Sequence, residues 1–295
     1  MLRNSWKALD LKVRAHMKDM KILGDSACDL TKELETELDA ERAVPFFLDI
    51  GKETLIDDES LSMPDFLAKM KACVGKMGSA CPSPTQWMDA FIKAGGGFAV
   101  TISGKLSGMH QVAKMGLEMA KNEVAGLIGH VFDSKSASCG QVLVAMKIRQ
   151  FIESGLGFDA LVSKVESFIE EMKTFVLLED VSNIVKNGRM SKIKGTLVNV
   201  LGIRPVLCAK DGEIDIFGKL RGSSNIANKL LDCIAQCKRK MQGDVLVISH
   251  CNNLSLAEDL REKASEKFDF GRILILETKG LTSLYACDKG IILSF

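Results

Sequence analysis

Apolar runs and segments with helical spacing alternate along the first half of the chain. Runs rich in Val, Ile, Leu and Phe predict strands, and apolar residues that recur every three or four positions predict helices. The predicted strands lie near 21–25, 44–50, 98–103 and 127–133, and the predicted helices near 30–41, 63–73, 84–94, 106–121, 138–153 and 158–172. Such strand–helix–strand units are typical of an α/β domain with a parallel sheet that helices cover on both faces.

The second half has a different pattern. It predicts a strand at 175–178, two short helices around 181–199, a hairpin with arms 203–209 and 213–219 around Asp211-Gly212, a helix at 223–240, a strand at 244–250, a helix at 254–266, and strands at 272–278 and 290–294. The turn pair favours an antiparallel connection, so we expect an α+β domain with a mixed sheet. A chain of 295 residues also exceeds the usual size of one core. We therefore predict two domains, 1–173 and 174–295.

The segment Ser103-Gly104-Lys105-Leu106-Ser107-Gly108-Met109 lies where a predicted strand turns into a predicted helix. The first N–H groups of a helix lack intrahelical partners and carry the positive end of the helix dipole. Hydroxyls and glycine amides at such a place can bind a phosphate or a carboxylate. A simpler interpretation is that Ser107 is only the N-cap of the helix.

Three other polar or small-residue segments follow predicted strands or begin predicted helices: Asp25–Leu30, Ser79–Pro84 and Asp133-Ser134. In an open parallel sheet, the loops at the carboxyl ends of the strands line one crevice. The sequence therefore predicts that a ligand binds in that crevice.

The order and spacing of these motifs resemble those of the DegV family of bacterial fatty-acid-binding proteins. The resemblance spans residues 20–295 and depends on all the motifs together. The matching residues are Asp25-Ser26-x-x-Asp29-Leu30, Val44-Pro45 with Asp57-Asp58 after it, Ser79 with Pro82-Ser83-Pro84, Leu106-Ser107-Gly108, Asp133-Ser134, Gly188-Arg189-Met190-Ser191, Ile203-Arg204-Pro205-Val206, Lys219-Leu220-Arg221-Gly222 and Gly290-Ile291-Ile292-Leu293-Ser294-Phe295.

The resemblance implies two α/β domains with a long-chain fatty acid between them and no cofactor. In some family members the protein is not itself an enzyme, and it presents the bound carboxylate to a separate ATP-dependent fatty acid kinase that makes an acyl phosphate. Carried over by position, the carboxylate contacts fall on Ser79, Ser107 and Arg189, and we include Ser103 and Gly108 of the same loop as candidate ligand-binding residues. Arg189 could alternatively pair with an acidic loop or cap the helix end near residue 187.

The chain departs from the family pattern in two places. The family's usual Ser-Gly-Thr is Ser107-Gly108-Met109, and the His-containing Gly-Pro-Gly stretch of many members is replaced here by Thr282–Asp288. Loss of that histidine changes the expected carboxylate contacts. A lipid carrier or sensor that works without a kinase is therefore the main alternative.

Composition agrees with a lipid-binding interior and argues against nucleic acid. Each buried CH₂ of an acyl chain gains roughly 0.8 kcal/mol, and 14 Met and 14 Phe against a single Tyr suit an adaptable apolar interior, although such residues also fill ordinary cores. A net charge of +1, from 39 basic and 38 acidic residues, gives no field that would attract nucleic acid.

Cysteine usage and hydropathy predict a cytoplasmic protein. The nine cysteines are scattered and several lie in apolar strands, which indicates reduced thiols. Cys233 and Cys237 share a helix face, but packing explains them better than a metal site does. No signal-peptide core or transmembrane run occurs. Residues 1–20 are basic and weakly amphipathic, so they either contact an anionic membrane surface transiently or form an ordinary surface segment.

Enzyme motifs are weak. Ser107 lacks the flanking glycines of a Gly-x-Ser-x-Gly elbow, Ser191 and Lys194 match Ser-x-x-Lys at one spacing only, and His250 is a candidate base at the end of a strand. Neither a Gly-x-x-x-x-Gly-Lys-Ser/Thr loop nor a Gly-x-Gly-x-x-Gly fingerprint occurs. We therefore predict a non-catalytic protein, with a Ser/His hydrolase as a minor alternative.

Overall fold

A computed structural model of the chain describes residues 17–190, 203–222, 224–237 and 241–295. The strands are β1 (Ile22–Asp25), β2 (Ala40–Val44), β3 (Phe47–Ile50), β4 (Glu53–Ile56), β5 (Met77–Ala80), β6 (Gly97–Thr101), β7 (Gly129–Asp133), β8 (Thr174–Leu177), β9 (Ile203–Lys210), β10 (Glu213–Arg221), β11 (Val245–His250), β12 (Arg272–Glu277) and β13 (Ile291–Ser294). The helices are α1 (Lys32–Leu38), α2 (Met63–Ala72), α3 (Pro84–Ala94), α4 (Met109–Glu123), α5 (Cys139–Glu153), α6 (Phe158–Glu171), α7 (Ser182–Lys186), α8 (Ile226–Ala235), α9 (Leu254–Lys267) and α10 (Gly280–Ala286).

The N-terminal sheet is parallel and has the order β2-β1-β6-β7. Successive residues of a strand point to opposite faces, and here each face has its own core. Ile22 and Phe98 pack in a cluster with residues of α1 and α5, whereas Leu23 and Ala99 pack in a cluster with residues of α3 and α4. The predicted parallel sheet with helices on both faces is confirmed.

The predicted strand at 44–50 is wrong as a single element. Val44 ends β2 of the parallel sheet, and β3 begins at Phe47 in a separate antiparallel sheet of order β4-β3-β5 that the sequence did not predict. Pro45 explains the break because it has no N–H to continue a ladder, and the next N–H, that of Phe46, donates to Ser26 Oγ at 3.0 Å. The predicted helix at 30–41 is also too long, since Asp39 adopts a left-handed conformation (φ 49°) that ends α1.

The C-terminal sheet has the order β10-β9-β8-β13-β11-β12, in which β11 and β12 are parallel and the other pairs are antiparallel. The predicted mixed sheet is confirmed. Asp211 and Gly212 connect β9 to β10 with φ angles of 51° and 81°, the left-handed conformation that a two-residue hairpin turn needs. Helices α8 and α9 bury Leu230 and Leu260 against this sheet.

Helix α10 follows the strands β8–β12 in the sequence, but it packs against residues that precede β8. Leu281 and Leu284 of α10 are buried in the same cluster as Phe46 and Leu48. Strand β8 begins at Thr174, the position at which we propose to divide the two domains. Residues 1–16 of the basic segment, and the second of the two short helices predicted around 181–199, lie outside the described residues. Within the described ranges, no helix has both the length and the apolar character needed to cross a bilayer.

Candidate functional site

Two buried carboxylates of the N-terminal part hold the first turn of α10. Asp29 Oδ1 accepts the N–H of Lys279 at 2.8 Å, and the two carboxylate oxygens of Asp57 accept the N–H groups of Gly280 (3.0 Å) and Leu281 (2.9 Å). These are N–H groups that a helix cannot satisfy internally. Because both carboxylates are almost completely buried, α10 has a fixed position relative to the N-terminal sheet.

Two further groups complete this arrangement. The Arg42 guanidinium lies 3.2 Å from Asp57 Oδ1 and is itself mostly buried. Asp25, at the end of β1, accepts the N–H of Ile102 at 2.7 Å and the side-chain N–H of Gln141 at 3.0 Å. Asp25, Asp29 and Asp57 are thus structural acceptors that fix the loops around the crevice. The sequence motif named these residues but did not indicate this role.

Burial raises the pKa of Asp29 to about 6, from an ordinary value of 3.8. A group whose pKa is higher in the folded state contributes stability below its unfolded pKa and loses it as the pH rises through the folded pKa. We expect Asp29→Asn to remove about 2 kcal/mol of this pH dependence between pH 4 and pH 7. Urea unfolding of both proteins across that range measures the difference.

The histidines titrate in both proteins and cancel in this comparison. Asp58→Asn is the matched control, because Asp58 is exposed and its side chain accepts the N–H and hydroxyl of Ser60, two residues away. Parallel stability curves for wild type and Asp29→Asn would show that Asp29 does not titrate near pH 6.

A cavity of about 100 Å³ lies between the loops of the N-terminal sheet, the six-stranded sheet and α10. Most of its lining is apolar and comes from both parts of the chain, including Ala27, Ile102, Ala137, Val176, Ile214 and Ile292. Among the described residues, its polar lining consists of Ser79, Ser107, Arg189, Thr282 and Tyr285. The predicted crevice therefore exists, and three of the five candidate ligand-binding residues line it.

Tyr285 lies close to two of the other polar lining residues, Ser79 and Arg189. Ser79 Oγ lies 2.9 Å from the hydroxyl oxygen of Tyr285, and the Arg189 guanidinium lies 5.7 Å from the centre of the Tyr285 ring. Arg189 Nε donates to the carbonyl of Leu106, the residue before Ser107, at 3.3 Å. Hydroxyls and a guanidinium thus meet in an otherwise apolar cavity, an arrangement that suits a ligand with one anionic end.

Arg189 also caps α7, as the simpler interpretation of this residue predicted. Its Nη1 donates to the carbonyl of Asn187 at 2.6 Å. The bonds to Leu106 and Asn187 use two of the five N–H donors of a guanidinium. Among the described residues no carboxylate pairs with Arg189.

Ser107 has two contacts besides the cavity. Its Oγ accepts the N–H of Met109 at 3.2 Å and lies 3.1 Å from Cys81 Sγ. The hydroxyl therefore satisfies one N–H of the first turn of α4, although Gly108 occupies the cap position. The capping interpretation and the ligand interpretation of Ser107 are compatible.

Ser103 and Gly108 do not line the cavity. Ser103 is fully buried, and its hydroxyl donates to the carbonyl of Gly212 at 2.7 Å. It thereby holds the β9–β10 turn against the N-terminal part. Gly108 contributes backbone at the start of α4.

Tyr285 is the site residue that sequence reasoning missed. It is the only tyrosine of the chain, and it lies in the segment Thr282–Asp288, where the resemblance predicts a histidine-containing stretch. That coincidence was the available signal. A phenol hydroxyl can donate one hydrogen bond, as an imidazole N–H can.

The alternative hydrolase site is not assembled around Ser107. His250 Nδ1 accepts the N–H of Asn253 at 3.3 Å, and His250 does not line the cavity. Ser191 and Lys194 lie outside the described residues. A larger groove of about 460 Å³ beside β7 is lined by charged side chains such as Lys114, Glu118 and Glu166, so it does not suit an apolar ligand.

Comparisons with known proteins agree with this geometry. The family model described as an uncharacterised protein of the DegV family matches residues 19–291. A DegV domain-containing protein of Streptococcus gordonii is 33% identical over 277 residues, which cover 93% of this chain and 98% of that protein.

Two solved structures have the same fold. A DegV-family protein from Ruminococcus gnavus, described with vaccenic acid, has a TM-score of 0.88 and 32% identity over 94% of this chain and 99% of that one. The Streptococcus pneumoniae Fatty Acid Kinase (Fak) B3 protein, loaded with linoleic acid, has a TM-score of 0.83 and 31% identity over 94% of this chain and 98% of that one. The family model, the sequence identities and the shared fold show that this chain belongs to the DegV family.

Proposed function

We propose that this protein binds a long-chain fatty acid in the cavity between its two parts. The observation that carries the proposal is that Ser79, Ser107, Tyr285 and Arg189 line one cavity whose other described lining residues, apart from Thr282, are apolar. A fatty acid matches this arrangement because it has one carboxylate and a long apolar chain. The two related structures described with fatty acids support the same ligand class.

The carboxylate would receive hydrogen bonds from the hydroxyls and an ion pair from Arg189. Hydrogen bonds to a charged acceptor are roughly twice as strong as neutral ones. The acyl chain would lie along Ile102, Val176 and Ile292, where each buried CH₂ gains roughly 0.8 kcal/mol. A dozen buried methylenes give on the order of 10 kcal/mol, enough to offset association costs of similar size.

Binding requires the cavity to widen. Its volume of about 100 Å³ is smaller than the roughly 300–1,000 Å³ that is typical of ligand pockets. Leu106, Val176 and Ile214 line it and are only partly buried, so their side chains can move with less loss of packing than fully buried ones. Entry of the acyl chain would push these side chains aside.

The same site could present its ligand to a separate kinase. The pneumococcal relative is named as a Fatty Acid Kinase B3 protein, and this chain has no phosphate-binding loop of its own. We infer that the protein is not a catalyst and that an ATP-dependent partner in the cytoplasm phosphorylates the bound carboxylate. A carrier that works without a kinase is the alternative, and the replacement of the histidine-containing stretch by Thr282–Asp288 favours it.

We expect the purified protein to contain or bind a long-chain fatty acid. Mass spectrometry of an organic extract of the denatured protein should detect acyl chains at near-stoichiometric amounts. For delipidated protein, palmitate or oleate should raise the thermal unfolding midpoint, because a ligand that binds only the folded state stabilises it.

The matched control is the methyl ester of the same fatty acid. It keeps the acyl chain but removes the negative charge, so it should stabilise the protein much less. Absence of acyl chains from the extract, together with no shift on adding palmitate or oleate, would contradict fatty-acid binding. Equal shifts for acid and ester would contradict the role of the polar lining residues in binding the carboxylate.

A further inference from the structure

Cys81 lies directly behind one of the hydroxyls that line the cavity. Its Sγ is 3.1 Å from Ser107 Oγ, within hydrogen-bond distance for sulfur. Cys81 follows β5, which carries Ser79, so one short segment supplies a cavity hydroxyl and this thiol. Cys81 itself is partly buried and does not line the cavity. Any effect of the thiol on the ligand therefore passes through Ser107.

The hydrogen-bonding capacity of Ser107 gives this contact a direction. A serine hydroxyl has one proton to donate and two lone pairs that accept. One lone pair accepts the N–H of Met109 at 3.2 Å. When the Cys81 S–H donates to the other lone pair, the single proton of Ser107 is left for an acceptor in the cavity.

The opposite direction of this hydrogen bond, from Ser107 to Cys81, is less favourable when a carboxylate is bound. In that arrangement Ser107 would donate its proton to the sulfur atom, and sulfur is a weak acceptor. A carboxylate is a much stronger acceptor because its bond to the hydroxyl is charge-assisted. The bound state therefore favours Cys81 as donor to Ser107 and Ser107 as donor to the ligand.

We propose that Cys81 is a positioning residue, whose thiol donates to Ser107 Oγ and so directs the Ser107 proton at the ligand carboxylate. The proposal depends on the fatty-acid binding proposed above and adds a residue that does not touch the ligand. It predicts that the effect of Cys81 exists only while the Ser107 hydroxyl is present.

A double-mutant cycle tests this coupling. Affinity for oleate, measured on delipidated protein by displacement of a fluorescent fatty acid, should fall roughly threefold to tenfold in Cys81→Ala, the loss expected for one hydrogen bond. Ser107→Ala should weaken binding at least as much, and adding Cys81→Ala to it should cause no further loss. Cys81→Ser should keep the affinity within about twofold of wild type, because its hydroxyl can donate in the same way.

Two further variants separate positioning from packing. Cys73→Ala removes another partly buried thiol of the N-terminal part and should leave the affinity unchanged. Cys81→Val removes the S–H but fills a similar volume, so it should bind as weakly as Cys81→Ala, and it serves if the alanine variant does not fold. Urea unfolding of every variant shows whether a change in affinity follows a change in stability.

The possible failures are distinguishable. If wild-type protein binds no fatty acid, the proposed function and this inference both fall. If Ser107→Ala weakens binding but Cys81→Ala and Cys81→Val do not, only the inference is overturned. It is also overturned if the losses from Cys81→Ala and Ser107→Ala add in the double variant, since Cys81 would then act independently of the hydroxyl.

Discussion

Arg189→Ala should weaken fatty-acid binding by roughly 30- to 150-fold. Loss of a hydrogen-bonded charge pair costs about 2–3 kcal/mol, and each 1.4 kcal/mol is a factor of ten in affinity. Among the described lining residues, Arg189 is the one that carries a positive charge, and its loss leaves Ser79, Ser107 and Tyr285 as the described donors to the carboxylate. Isothermal titration of delipidated protein with oleate measures the change.

Two controls belong to this experiment. Lys186→Ala removes an exposed cation from the last turn of α7, the helix that Arg189 caps, and should leave the affinity unchanged. Arg189→Lys keeps the charge but loses the planar fork, so it should recover part of the affinity. If Arg189→Ala binds oleate normally and only unfolds more easily, Arg189 does no more than cap α7.

The same variant tests presentation to a kinase. With lipid-loaded protein, a candidate kinase of the same cell and labelled ATP, wild type should give an acyl phosphate and Arg189→Ala should not. If the wild-type protein binds lipid but no such kinase forms a product, the protein is a lipid carrier that works without a kinase. That result would not affect the binding proposal.

Asp57→Ala should destabilise the protein by about 3–5 kcal/mol, the cost of breaking a buried ion pair from one side. The substitution removes the carboxylate partner of the buried Arg42 guanidinium and the acceptor for the N–H groups of Gly280 and Leu281. Fatty-acid affinity should also fall, because the released helix α10 carries Tyr285. Urea unfolding and oleate titration measure the two effects.

Asp58→Ala is the control for Asp57. The neighbouring carboxylate is exposed, and its bonds among the described residues are to Ser60 in its own turn, so its loss should cost less than about 1 kcal/mol. If Asp57→Ala does not fold, Asp57→Asn keeps one acceptor oxygen and should show an intermediate loss. A change within 1 kcal/mol for Asp57→Ala would mean that α10 is held mainly by its apolar side chains.

Local patterns predicted the elements that are buried on both faces or closed by a distinctive turn. Phe98-Ala99-Val100 is a continuous apolar run because β6 lies in the middle of the parallel sheet, and Asp211-Gly212 identified the hairpin. Strand β4 was missed because most of its residues are exposed, which leaves no alternation of apolar and polar positions. Helix α10 was missed because it is short and buried almost all round.

The polar lining of the cavity could be predicted from the sequence only in part. Ser79, Ser107 and Arg189 lie in motifs that can be identified along the sequence. Tyr285 could not be placed in this way, because its partner Ser79 is 206 positions away. The roles of Asp29 and Asp57 depend on contacts that span 250 and 223 positions. Such pairings arise from topology, and local periodicity carries no information about them.

Strand β13 follows every other described strand in the sequence but lies between β8 and β11 in the six-stranded sheet. During translation, strands β8–β10 and β11–β12 are therefore made before β13, which lies between them in the sheet. Until β13 is made, β8 and β11 each have an unpaired edge. Such edges can pair with other nascent chains. Helix α10 immediately precedes β13 in the sequence. The last helix that lines the cavity and the strand that completes the sheet are therefore made one after the other. The cavity is therefore complete only once β13 has been made, and a pause in translation before that point would prolong the exposure of these edges to aggregation.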